Sequence, residues 1–343
     1  MAVRMIASIQ ELDDKLSRPS PADIEAVSKS SGDYLVLGVA GKMGPSLAHR
    51  IRRAIEQAGT RQRVVGVARF SNPQTERWLG NSGIETIAAD LIEPGQLDRL
   101  PDAENIIFMA GRKFGSTGAE SLTWAMNAWL PAMVARRYPA SRIVAFSSGN
   151  VYPLLPVVSG GATEATAPEP VGEYAQSVLA RERLLEYFSS INGTRVCLLR
   201  LNYAIELRYG VLLDIGLKVS QGRPINLVMG AVNVIWQGDA NSVALRSFSL
   251  CQSPPAILNL AGPETLSVRA VAARFGDLLG VKPVFEGAES DSALLNDAGR
   301  CHRLFGYPSV TAGQMIEWVA AWIRAGGAML DKPTHFEARD GKF

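Results

Sequence analysis

The 343-residue chain carries little that points to metal or thiol chemistry. It has three cysteines (Cys197, Cys251, Cys301) far apart in sequence, and no CxxC pair. Its three histidines (His49, His302, His335) are isolated from one another, so no metal site is expected and a reducing, cytoplasmic location fits best. Long apolar runs are also missing. Asn105–Gly111, with its Ile-Ile-Phe-Met, falls far short of the ~20 residues that span a bilayer. Charge interrupts Gln10–Lys15, where a secretory leader would be apolar. Neither sign of charge dominates: 35 Lys and Arg stand against 33 Asp and Glu, net +2, and they are interspersed. No nucleic-acid footprint follows from that. Ser148 lies in Ser-Ser-Gly, not in the GxSxG frame of a hydrolase elbow. The expected partner is a small molecule, with no nucleic acid and no membrane.

What is present is a rhythm. Short, continuous apolar runs at Tyr34–Leu37, Arg63–Ala68, Ile84–Ala88, Asn105–Met109, Arg142–Phe146 and Arg195–Leu199 read as strands. Helical stretches separate several of them, at about Met43–Gln57, Gly118–Tyr138 and Gly172–Ile191. Continuous rather than alternating runs suit strands buried on both faces. The order predicts an α/β fold, a Rossmann-type doubly wound parallel sheet with a smaller C-terminal α/β substrate lobe. Residues 1–33 form an N-terminal helical extension, with Ser20-Pro21-Ala22-Asp23 as a helix start. Residues 34–200 form the dinucleotide-binding domain, and residues 201–343 mainly the substrate lobe and a polar tail.

The first strand runs into Gly38-Val39-Ala40-Gly41-Lys42-Met43-Gly44. Gly38 makes the tight turn, Gly41 lets a pyrophosphate approach the backbone, and Gly44 lets the helix pack on the strand. The opening of the helix around Lys42 and Met43 then holds phosphate. The second strand ends at Ala68-Arg69, without the carboxylate that grips the ribose of NAD. Arg69 can pair with a 2′-phosphate, so NADP is favoured over NAD, with a plain surface arginine as the alternative. Asp90 and Leu91 follow the third strand and can meet the adenine edge, although Asp90 can equally cap a helix.

Together these residues resemble the extended short-chain dehydrogenase/reductases, the NAD-dependent epimerase/dehydratase group. The resemblance rests on Gly38-x-x-Gly41-x-x-Gly44, on Ala110-Gly111 and Asn127, and on Phe146-Ser147-Ser148-Gly149-Asn150-Val151-Tyr152. Glu164, Pro168 and Pro170 ahead of Tyr174, Arg200 and Asn202, and Asn259–Glu264 extend it. It implies a cofactor site that includes Ala110, Gly111 and Asn202, with Ser148 and Tyr174 as the catalytic pair. It also implies a lysine four residues after the tyrosine, on the same helix face. Val178 stands there instead. Three substitutes present themselves: Lys113 (with Arg112) after the fourth strand, Arg181 one turn further along the helix, or the oxidised nicotinamide ring itself. Lys113 is the first choice. Candidate substrate contacts are Asn150, Glu206, Arg208 and Trp236, with a core tryptophan as the alternative for the last. The expected activity is oxidation, reduction or epimerisation at a secondary alcohol or ketone of a sugar-like, polyol or hydroxy-acid substrate. A dinucleotide-binding sensor without turnover is the alternative. A homodimer through Gly118–Tyr138 and Gly172–Ile191 is implied as well.

Overall fold

The computed structural model describes residues 5–113 and 115–342; the first four residues of the N-terminal extension and the last of the tail lie outside the described residues. Seven parallel strands form the central sheet: β1 (Tyr34–Leu37), β2 (Val64–Ala68), β3 (Glu85–Ala88), β4 (Asn105–Phe108), β5 (Arg142–Ser148), β6 (Arg195–Leu201) and β7 (Ala256–Leu260). Their spatial order is β7-β6-β5-β4-β1-β2-β3. Strand order therefore reverses between β1 and β4, which opens a crevice at their carboxyl ends, where such sheets bind ligands. Register brings Leu37 opposite both Val67 and Phe108, and Ser148 opposite Leu201. Four strand ends thus meet at one rim.

The middle of each inner strand is apolar because helices cover both faces. Leu47, Ile51 and Ile55 of the helix Gly44–Ala58 bury one face of β1, and Val134 and Leu185 help bury the other. A second core lies in the C-terminal part, around Leu212, Phe275, Trp318 and Trp322. The sheet does not stop near residue 200, because β7 returns from the later chain and pairs with β6.

The N-terminal segment forms helices Ile9–Ser17 and Pro21–Ser28, the second opened by a capping box between Ser20 and Asp23. Asp23 also pairs with Arg50 at 2.6 Å, both away from water, and accepts a bond from the half-buried Ser242. Removing one partner of such a pair costs about 3–5 kcal/mol, so the extension is fastened to the sheet-covering helices.

Two elements differ from the sequence expectation. Pro73–Asn81 is helical, capped by Asn72. Only Leu79 of it is buried, which left too thin an apolar stripe to read. The expected helix Gly118–Tyr138 is Glu120–Trp124, a π-turn Ala125–Trp129, then Leu130–Arg137. Pro131 explains the break. It has no N–H to give the carbonyl of Asn127 four residues back, and a π-turn is a common way to absorb such a gap.

Candidate active site

The strand ends and the later chain enclose a cavity of about 280 Å³. Its floor is the glycine loop. Gly38 has φ +90°, and a Cβ there would stand 2.6 Å from the Ala110 nitrogen. A Cβ on Gly44 would stand 2.1 Å from the Val39 carbonyl oxygen. Both glycines are therefore imposed by backbone approach. Gly41 is different: a Cβ would meet only the Gly38 carbonyl oxygen, at 3.2 Å, and the residue is exposed at the cavity. That is the cradle expected for a phosphate. The following helix opens at Met43 without a side-chain cap, which suits an anion at its N-terminus. Gly41, Lys42 and Met43 all line the cavity.

The Lys42 side chain crosses the cleft. Its ammonium donates to the Ala204 carbonyl at 2.5 Å and lies 3.9 Å from the centre of the Tyr209 ring. Desolvation pushes this ammonium down to about 7; Glu206 opposes the shift and Lys113 adds to it.

Ser148 ends β5, and Tyr174 opens the helix Gly172–Asn192. The Ser148 hydroxyl lies 3.0 Å from Asn150 Oδ1, accepts the Asn150 N–H at 3.1 Å, and is hydrogen-bonded to the Tyr174 phenol. Burial raises the phenol above its ordinary range, while Ser148 and the nearby Arg181 charge pull the other way. Lys113 stands with its ammonium 5.7 Å from the centre of the Tyr174 ring, and desolvation pushes it down to about 8. Val178 turns away from the cavity into a small cluster with Val151, Tyr152 and Ala162. Arg181, from the same helix, does line the cavity.

Nine of the residues singled out from sequence meet here: Gly41, Lys42, Met43, Gly111, Lys113, Ser148, Asn150, Tyr174 and Asn202. Ala110 lies just behind, its carbonyl taken by Arg181 at 3.1 Å. Arg69, Asp90 and Leu91 gather at the β2–β3 end of the sheet, with Arg69 3.7 Å from Asp90 and largely exposed. Leu91 is buried beside them.

Three expected substrate contacts lie elsewhere. Trp236 is 1% exposed and packs edge-on against Trp318 at 5.3 Å, as a core tryptophan. Glu206 and Arg208 neutralise each other at 3.1 Å, and Arg208 also pairs with Asp13 at 3.3 Å. Their charges brace the turn before the helix Val211–Ser220 and are spent on protein partners.

Sequence reasoning missed a buried network beneath Ser148. Glu182 accepts from Ser147, and from Arg200 at 2.6 and 3.0 Å; Arg200 reaches the Tyr152 hydroxyl at 2.7 Å, which donates to Asn259 at 2.9 Å. A Glu 35 residues after a strand-end serine is no motif, and it takes the helix Gly172–Asn192 packed on the paired β5 and β6 to bring these groups together. The tail was missed too. Thr334 lines the cavity and is anchored on Asp214 through its N–H at 2.8 Å.

A doubly wound sheet with a phosphate cradle at its switch point defines a Rossmann-type dinucleotide-binding protein. The model of the NAD dependent epimerase/dehydratase family matches residues 34–205, which is half of the chain, and the protein belongs to that family, whose members are enzymes using a nicotinamide dinucleotide. No curated protein matches the chain. Among solved structures it is similar to UDP-glucose 4-epimerase from Thermotoga maritima, at 15% identity over 86% of this chain and 99% of that one, TM-score 0.69. The UDP-glucuronic acid 4-epimerase of Bacillus cereus, solved with NAD, gives 16% identity, 85% and 99% coverage, and a TM-score of 0.71. The dTDP-glucose 4,6-dehydratase of Streptomyces venezuelae, also solved with NAD, gives 18%, 85% and 97%, and 0.72. These likenesses establish the fold. Among the described residues no helix is long and apolar enough to cross a membrane, and no group of His, Cys, Asp or Glu could hold a metal ion.

Proposed function

We propose that the chain interconverts a secondary alcohol and a ketone on a small sugar-like, polyol or hydroxy-acid substrate. The observation that carries this is the Ser148–Tyr174 pair, hydrogen-bonded at the wall of the cavity whose floor is the glycine loop. The residues present fit a dinucleotide: Gly41 leaves the approach to the backbone open, and Lys42 lines the cavity beside it as a hydrogen-bond donor. When bound, the nicotinamide accepts or delivers hydride. The chain's own part is proton management. Ser148 orients the substrate oxygen, and Tyr174, which keeps its proton at neutral pH, donates it to that oxygen. Lys113 and Asn150 line the same cavity and are available to the substrate.

Arg69 supports a preference for NADP, because it is exposed at the end of β2 where a carboxylate would select NAD. The C-terminal cations support a substrate smaller than a sugar nucleotide. Lys218 pairs with Glu337, Arg269 with Glu289 and Arg274 with Glu317, so few are left for a diphosphate. A homodimer gains support from Trp129, Tyr187 and Ile191, large apolar residues exposed at 48%, 57% and 56% on the expected pairing helices.

The test is turnover of polyols, sugar acids and sugar nucleotides with each cofactor, followed at the reduced-nicotinamide absorbance. Tyr174→Phe is expected to lower kcat about 100-fold or more with dinucleotide affinity unchanged. Tight dinucleotide binding with no turnover across the panel would overturn this reading in favour of a sensor.

A further inference from the structure

Arg181 lies seven residues, close to two helical turns, beyond Tyr174, and so on the same face of its helix. Its guanidinium is buried and held by four hydrogen bonds: Nε to the Asn127 carbonyl at 3.2 Å, Nη1 to the Phe146 carbonyl at 2.5 Å, and Nη2 to the Ala110 carbonyl and to Asn127 Oδ1, both at 3.1 Å. All four acceptors are neutral. The contrast with Arg200 is plain, since its guanidinium is paired with the Glu182 carboxylate. Carbonyl dipoles fix a cation in place without cancelling its charge.

Several features of the chain converge on this cage. The Asn127 carbonyl is available because Pro131 brings it no N–H, which ties the π-turn to the arginine. Gly111 is required by it as well: a Cβ there would fall 2.6 Å from Arg181 Nη2 and 2.9 Å from Asn127 Oδ1. A planar fork with five donors suits carbonyls from the loop after β4, from β5 and from a helix at once.

We propose that Arg181 is the positioning residue that supplies the site's fixed positive charge, acting through Tyr174 to stabilise its phenolate as the proton leaves. The role rests on the reading of Tyr174 given above. It explains why Val178 can be apolar. Lys113 is the less suitable group: it lies toward the ring face, and burial lowers it to about 8, whereas Arg181 is lowered only to about 10 and stays charged. Among the described residues, the ionisable and polar groups around the phenol include Ser148 from β5, Lys113 from the loop after β4, Tyr209 from the turn at 206–209, and Arg181 itself.

The test reads Tyr174 directly, by NMR of protein carrying ring-¹³C tyrosine, with Tyr174→Phe assigning the resonance. It needs neither cofactor nor turnover, so it stays readable if the oxidoreductase reading fails. At the pH where half of wild-type Tyr174 is phenolate, Arg181→Met is expected to show about a tenth as phenolate, which is a one-unit rise. Arg181→Lys restores at least half of that shift, and Lys113→Met moves the midpoint less than Arg181→Met does. Gly111→Ala keeps the arginine but pushes its guanidinium aside; it should raise the midpoint too, and it serves if Arg181→Met does not fold. An unshifted midpoint in the folded Arg181 and Gly111 variants, or a larger shift from Lys113→Met, overturns the assignment. Shifted titration with no turnover on any substrate would sink the oxidoreductase reading alone.

Discussion

Restoring the lysine expected by family resemblance, through Val178→Lys, should damage this protein. Val178 is 1% exposed and packed against Val151, Tyr152 and Ala162. Losing its burial costs roughly 1.5–3 kcal/mol. An ammonium forced into that cluster is neutralised, and moving a lysine from its usual ~10.4 to neutral pH costs about 4.6 kcal/mol at ~1.36 kcal/mol per unit. The combined loss is about 7 kcal/mol, a large part of the ~5–15 kcal/mol that holds a domain folded. With an unfolding entropy of roughly 2.1 cal/mol/K per residue, a chain of 343 residues loses about 10 °C of melting temperature. Scanning calorimetry measures that shift, and turnover with the best substrate of the panel measures any gain. A variant with unchanged melting temperature and higher kcat would refute the reasoning, since it would mean that the pocket has room for a lysine and lacks a cation.

The pH dependence should be one-sided in each direction of reaction. Burial holds the Tyr174 proton above the ordinary phenol range, so the acid form prevails through neutrality and falls only as pH passes that raised value. The chemical step of ketone reduction should therefore be flat across neutral pH, while alcohol oxidation should rise about tenfold per unit with no plateau below ~10; plateaus near neutral pH in both directions would contradict this. At the adenosine end, Arg69→Ala should weaken NADP about 10-fold or more and NAD little, measured by titration calorimetry; an equal effect on both would remove the 2′-phosphate contact.

The sheet was legible because its strands are unbroken apolar runs such as Tyr34–Leu37 and Asn105–Phe108, which only a doubly covered sheet accommodates. β7 was less visible. Asn259 interrupts it, and that side chain serves the Tyr152 bond rather than the core. The proposed catalytic pair, Ser148 and Tyr174, could be read from local strings around each residue. The cage around Arg181 could not, because its acceptors come from residues 110, 127 and 146, and backbone carbonyls leave no mark in a sequence. Trp236 and Arg208 misled for a related reason. Each is polar-tipped and near a strand end, yet their partners, Trp318 and Asp13, lie about 80 and 195 residues away, and Glu206 is taken up by Arg208 itself.

The most direct measurement is titration of NADP and NAD into the wild type and into Gly41→Asp. A Cβ at Gly41 meets only one carbonyl oxygen, at 3.2 Å, so the variant should melt within about 2 °C of the wild type, as a surface change does. A carboxylate in the cradle should weaken dinucleotide binding about 100-fold or more, or roughly 2.8 kcal/mol. A folded wild type that takes up neither nucleotide, or a Gly41→Asp protein that binds as tightly as the wild type, would contradict the account.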